Sequence, residues 1–217
     1  MLHEEHLYSI ALRATPLIGD VNFMRLVEIT GSAKETWHLS KKLLKEIPGI
    51  GSKITKEIGN EKYLKFAEKE IDFCEKNNIK INLRHLKELP KLLSNCDDAP
   101  AILYQKGSLD ESLTPISIVG TRNMTSYGRH FIEEFLEILK NKKVLIVSGL
   151  ALGTDGCAHT EALKNQLKTA GVLAHGLHLI YPSQHKKLAA EILEQDGALL
   201  TEFNSNDKPD REHFLQR

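Results

Sequence analysis

Three apolar runs in the second half of the chain each end in glycine: Pro115-Ile-Ser-Ile-Val-Gly120, Val144-Leu-Ile-Val-Ser-Gly149 and Ala170-Gly-Val-Leu-Ala-His-Gly176. Short continuous runs of this kind, rich in Val and Ile, predict buried strands. A stretch with helical spacing follows each one. After the first, Ile132, Phe135, Leu136 and Leu139 fall at i, i+3, i+4 and i+7. That spacing gives one apolar face over 127–140, with Glu133, Glu134 and Glu137 pointing away and Ser126 as the candidate N-cap. Further helices are expected from about 154 to 165 and over 185–194, before a strand at Ala198–Thr201. Strands alternating with helices predict an α/β fold with a parallel sheet. The three glycine loops then share its carboxyl edge, where open α/β sheets bind ligands.

Residues 1–97 have a different texture, with Lys, Glu, Leu and Ile at helical spacing. Helices are expected over 3–13, 21–30, 33–39, 53–59 and 61–76, with Asp20 a possible N-cap and Gly31-Ser32 separating the second from the third. Asn78-Ile-Lys-Ile-Asn82 reads as a short strand beside the sheet. The turn-rich Asn95-Cys-Asp-Asp-Ala-Pro100 marks the expected boundary. It divides the chain into a small all-α domain over 1–97 and an α/β domain over 98–217.

Composition narrows the function classes. The chain has 217 residues, 41% hydrophobic and 27% charged, enough for one medium or two small packed domains. Lys plus Arg and Asp plus Glu both number 29. A zero balance excludes nucleic-acid binding through bulk charge and leaves room for a local basic groove. Cys74, Cys96 and Cys157 have neither metal-ligand spacing nor the even count of a disulfide framework, so free thiols in a reducing compartment are expected. No signal peptide is visible, and no run reaches the ~20 apolar residues of a membrane span. A cytoplasmic protein without membrane contact is the expectation.

Two glycine loops carry the candidate chemistry. In Gly120-Thr121-Arg122, glycine permits a sharp exit, helix-start amides can donate to an anion, and the guanidinium can grip a phosphate or a guanine edge. Alternatively, Arg122 caps a carbonyl or pairs with a carboxylate. Gly149-Leu-Ala-Leu-Gly153-Thr-Asp-Gly156 opens the next helix and reads as a second cradle for phosphate or sugar, or as helix capping by Thr154 and Asp155. It is neither Gly-x-Gly-x-x-Gly nor a P-loop. A third element, Ile47-Pro-Gly-Ile-Gly51-Ser-Lys53, has the form of a helix-hairpin-helix turn. Gly49, Gly51 and Lys53 would make a secondary phosphate contact there, or the segment is simply a tight turn. The histidines form no metal pair on one helix, and there is no Gly-x-Ser-x-Gly elbow or carboxylate pair. No catalytic residue, metal or cofactor is expected.

Taken together, these residues resemble the DprA/Smf family of DNA-processing proteins. The resemblance rests on Ile118-Val-Gly-Thr-Arg122, Val147-Ser-Gly-Leu-Ala151 with Gly153-Thr-Asp155 and Ala158-His159, Tyr181-Pro182, Gly197-Ala-Leu-Leu-Thr-Glu-Phe203 and His213-Phe-Leu-Gln-Arg217. It covers about 100–217; the helical part with Pro48-Gly-Ile-Gly51 fits less specifically, as a helix-hairpin-helix or SAM-like domain. The resemblance implies an extended Rossmann-like domain that binds single-stranded DNA and loads RecA recombinase in natural transformation and recombination. It implies DNA contacts at Arg122, Lys186, Lys187, His213 and Arg217; beside them Gly120, Thr121, Gly149 and Gly153 are expected in the DNA site, the glycines because they permit close backbone approach. It also implies a homodimer in full-length relatives.

Three departures stand out. The family's Gly-Leu-Ala-Arg-Gly-Ile-Asp is Gly149-Leu-Ala-Leu152-Gly-Thr154-Asp here, one basic residue fewer. Ser183 follows Tyr181-Pro182 where relatives can carry lysine. The chain stops at Arg217, inside a motif, which reads as a truncation that would open a sheet edge and remove the self-association surface. Two other readings are a nucleotide-processing enzyme such as the LOG phosphoribohydrolases, whose Pro-Gly-Gly-x-Gly-Thr-x-x-Glu segment is missing, and a remnant without DNA activity.

Overall fold

The computed structural model describes residues 2–216. The chain divides into two compact units, 1–103 and 104–217. The first holds helices α1 (Leu2–Arg13), α2 (Asp20–Thr30), α3 (Ala33–His38), α4 (Lys41–Glu46), α5 (Ser52–Glu57) and α6 (Glu61–Lys76), then β1 (Ile79–Leu83) and α7 (Lys91–Ser94). Strand β2 (Ile102–Gly107) straddles the division. The second unit continues with β3 (Thr114–Ser117), α8 (Ser126–Ile138), β4 (Val144–Ser148), α9 (Thr154–Lys164), β5 (Lys168–Leu173), α10 (Lys186–Glu194), β6 (Ala198–Thr201) and α11 (Arg211–Gln216).

In the first unit the helix ends are fixed by local chemistry. Ser32 caps α3 by accepting from the Glu35 amide at 3.0 Å, in the Ser-x-x-Glu spacing of a capping box. Asp20 is the first residue of α2 rather than its cap, which is Gly19. Its carboxylate instead accepts from Arg13 Nε at 3.0 Å and from the Ala101 amide at 2.9 Å. Helix α4 lies where the sequence reading placed no element. Ile10, Leu12, Phe23, Leu26 and Leu44 are buried.

The six-stranded sheet has the order β1-β2-β6-β5-β4-β3. Strands β3 to β6 are parallel, in a register that sets Ile116 beside Ile146, Val147 beside Ala170 and Gly171 beside Leu199. Strand β2, absent from the sequence reading, pairs antiparallel with β6, Tyr104 opposite Thr201. The fold is thus α/β with a mostly parallel, Rossmann-like sheet.

Helix α9 is the centre of this unit. It packs between α8 and α10 against β4 and β5, and most of its residues from Thr154 to Leu163 are buried. Ile132 and Leu136 of α8 meet Ile146, Ala158 and Ala162; Leu188 and Ile192 of α10 meet Leu150, Leu163 and Leu173. Each of the buried Leu and Ile side chains contributes roughly 1.5–3 kcal/mol on burial. Two local expectations are corrected. The cap of α8 is Thr125, accepting from the Gly128 amide, not Ser126. Strand β3 is mostly exposed, not buried, because it lies at the sheet edge.

Candidate nucleic-acid interface

Parallel pairing brings the carboxyl ends of β3, β4, β5 and β6 to one edge of the sheet, and the segments leaving them meet there. The first two interlock. Thr154 donates to the Thr121 carbonyl twice, from its amide and from its hydroxyl, each at 3.1 Å. Ser148 Oγ donates to the Ile118 carbonyl at 2.6 Å. Gly153 has φ +79°, and a Cβ there would fall on the carbonyl oxygens of Thr121 and Arg122. A Cβ on Gly120 would lie 2.6 Å from Thr154 Oγ1. These two glycines are therefore needed for one loop to lie against the other.

The start of α9 is occupied from within. Its first amide is taken by Thr121, the Gly156 amide by the Ala151 carbonyl, and the Asp155 carboxylate accepts from the Ala151 amide at 3.3 Å. Asp155 folds back on its own loop, and Thr154 reaches across to the neighbouring one rather than capping its own helix. Gly149 is buried.

The segments after β5 and β6 are tied to each other in the same manner. The Gly176 amide donates to the Asp207 carbonyl at 2.9 Å, and Asn204 and Asp207 exchange bonds at 2.8 and 3.0 Å. Tyr104 Oη donates to Asn204 Oδ1 at 2.9 Å. Thr201 Oγ1 donates toward the carbonyls of Leu173 and His175 and accepts from the Phe203 amide. Buried His175 accepts the Tyr181 amide on Nε2 at 3.3 Å and donates from Nδ1 to the Gly176 carbonyl.

Between these segments lies an open cleft of about 620 Å³ lined by Arg122, Leu179, Ile180, Tyr181, Ser183, Lys186, Lys208, Pro209, Asp210 and Arg211. Four cations converge on it. Its one carboxylate, Asp210, accepts from the Glu212 amide at 2.8 Å at the start of α11. Tyr181 is 47% exposed and stands with Leu179 and Ile180 as an apolar wall. Point charges facing a partly exposed ring suit a chain of phosphates carrying flat bases.

The sequence-predicted residues divide. Arg122 and Lys186 share the cleft. Lys187, one position on, turns about 100° around the helix. It lines a second cleft of about 470 Å³ with Arg129, Gly153, Glu161 and Lys164, and pairs with Glu191 at 3.3 Å. His213 sits against Phe203 with ring centroids 4.2 Å apart, its Nδ1 3.2 Å from the Lys208 carbonyl, so it holds the segment that carries Lys208. Arg217 lies outside the described residues. In the first unit, Gly49 turns with φ +83° and Arg25 donates to the Pro48 carbonyl beneath it at 3.1 Å. Gly51 caps the six-residue α5, and Gly51 and Lys53 are exposed.

Sequence reasoning missed Lys208, Arg211 and the ring of Tyr181. The available signal was position: a polar run with two cations directly follows a fourth strand that ends at the same edge.

Buried His159 lies under the loops. Thr169 Oγ1 donates to the Ile146 carbonyl at 2.8 Å and so accepts from His159 Nδ1 at 2.7 Å. Burial, with His185 nearby, pushes its pKa down to about 3, which keeps the ring neutral. Burial raises the Cys157 thiol above its ordinary value, making it a poor nucleophile. No group of three or more His, Cys, Asp or Glu able to hold a metal occurs among the described residues. No helix among them is long and apolar enough to cross a membrane.

Protein Smf of Synechocystis is 32% identical across all of this chain and 56% of its own length. DNA processing protein DprA of Bacillus subtilis is 37% identical over 60% of this chain and 44% of its own length. The chain thus spans about half the length of the curated relatives it matches. The crystal structure of DprA from Streptococcus pneumoniae superposes with a TM-score of 0.75 at 26% identity, over 96% of this chain and 71% of that one. A Helicobacter pylori structure, described as showing the single-stranded DNA binding mode of DNA processing protein A, superposes with a TM-score of 0.55 at 29% identity, over 64% and 61%. Residues 80–217 match the family model of DNA recombination-mediator protein A, and the chain belongs to that family.

Proposed function

We propose that this chain binds single-stranded DNA in the cleft at the carboxyl edge of its sheet and serves as a cytoplasmic recombination mediator that hands the strand to RecA during DNA uptake. The observation that carries this reading is the convergence of Arg122, Lys186, Lys208 and Arg211 on one cleft with Tyr181 on its wall. The cations hold phosphates and the ring supports a base, an arrangement that favours a flexible strand whose bases are free to turn outward. The Helicobacter pylori neighbour, described by its single-strand binding, supports the same assignment. Action is by binding rather than by chemistry on the strand. The lining groups supply charge and an apolar surface.

Fluorescence anisotropy with a labelled single strand of ~20 nucleotides, a duplex competitor and two salt concentrations tests the reading. Salt-sensitive preference for the single strand is the expected result. Equal affinity for duplex, or an Arg122→Ala variant with unchanged affinity and salt slope, overturns it. Transfer of the strand to RecA is read separately, as faster RecA filament growth on strands coated with single-strand binding protein.

A further inference from the structure

We infer that Thr154 is a positioning residue for the DNA site: without touching the strand, its hydroxyl latches the loop that presents Arg122. The inference rests on the proposed reading of the cleft. Arg122 is borne by an exposed loop that leaves the edge strand β3, and such a loop is by default mobile. A mobile guanidinium loses affinity, because ordering it at each binding event costs free energy.

Here the loop is pinned at two carbonyls. Ser148 Oγ holds Ile118 at 2.6 Å, and Thr154 holds Thr121 through both its amide and its hydroxyl. Thr121 Oγ1 closes the turn internally by accepting from the Asn123 amide at 3.1 Å. Any residue at position 154 except proline supplies the amide bond. The second bond needs a hydroxyl, and the space for it exists only because position 120 is glycine. Thr154 is itself only 8% exposed, at the root of the loop rather than in the cleft, and is not among the cleft-lining residues. Its action on DNA therefore runs through Arg122. The hydroxyl latch thus stiffens the loop that bears Arg122.

The test is a double-mutant cycle on single-strand affinity, with Thr154→Val as the near-isosteric change that deletes the hydroxyl. Arg122→Ala should weaken binding about tenfold, as for loss of a charge-assisted contact. Thr154→Val should weaken it about three- to tenfold in the wild-type background and less than about twofold when Arg122 is already alanine. Thr154→Ser should retain affinity close to wild type. An equal loss in both backgrounds makes Thr154 a residue of general stability and overturns the inference, as does a Thr154→Ser variant as weak as Thr154→Val. If Thr154→Val fails to fold, Gly120→Ala takes its place in the cycle, since its methyl displaces the same hydroxyl, and the same non-additivity is required. A wild-type chain that ignores single strands, or an inert Arg122→Ala, instead removes the parent reading and the inference with it.

Discussion

His159 should make the second unit acid-labile. Its ring is buried and its pKa lies near 3 against an ordinary 6.5. As pH falls through 6.5 the unfolded chain takes up a proton that the folded chain cannot accept until pH 3. Stability is therefore fully present above pH 6.5 and is lost below it, at about 1.4 kcal/mol per pH unit. Between pH 7 and pH 5 the loss comes to about 2 kcal/mol. The lowered carboxylates Glu5 and Asp20 have ordinary values of 4.5 and 3.8 and add their own losses only at lower pH. Urea titrations of the wild type at pH 7.0, 6.0 and 5.0 measure the slope. His159→Asn, which keeps a donor for Thr169 and does not titrate, should be less stable at every pH yet lose about 2 kcal/mol less across the interval. A variant with the wild-type slope, or a wild type equally stable at pH 7 and 5, refutes the reasoning.

Three further outcomes are expected. Lys208→Ala and Arg211→Ala should each weaken single-strand binding and lower the slope of log K against log salt by about 0.7, as measured by anisotropy. Lys187→Ala should leave affinity near wild type while Lys186→Ala lowers it several-fold, because Lys187 faces the second cleft and Glu191; equal effects of the two would mean that the strand crosses α10. Gly176→Ala sets a methyl on the Asn204 carbonyl and should displace the segment that carries Lys208 and Arg211. It should cost about 1–3 kcal/mol on overpacking grounds and weaken DNA binding more than that stability loss explains, seen by pairing thermal melts with anisotropy.

Strands β3, β4 and β5 were legible because each belongs to a short apolar run that ends in glycine, and helix α8 because its apolar face recurs every three to four residues. Strand β2 was not: Ile102-Leu-Tyr-Gln-Lys-Gly107 turns polar halfway, and its pairing with β6 joins residues 91 to 97 apart, a relation no local pattern records. Edge and centre are equally invisible, since Ile116 and Ile146 read alike yet only the latter is buried. In the site, Arg122 and Lys186 could be named from motifs. Lys186 and Lys187 look equivalent in the sequence, and helical rotation alone separates them. Lys208 and Arg211 reach the cleft through the bond from Gly176 to Asp207 and the Asn204 turn, contacts between segments roughly 30 residues apart.

The four cations of the cleft come from the exit of β3, the start of α10 and the segment beyond β6, spread over positions 122 to 211. No stretch of the chain carries the site by itself. During synthesis the arginine of the first loop emerges well before the last cations do, and the cleft closes only once β6 has joined the sheet. A nascent or partly unfolded chain thus has the charges without the arrangement. On the reading proposed above, single-strand binding reports that this unit has finished folding, and topology alone disfavours premature capture of DNA by an incomplete chain.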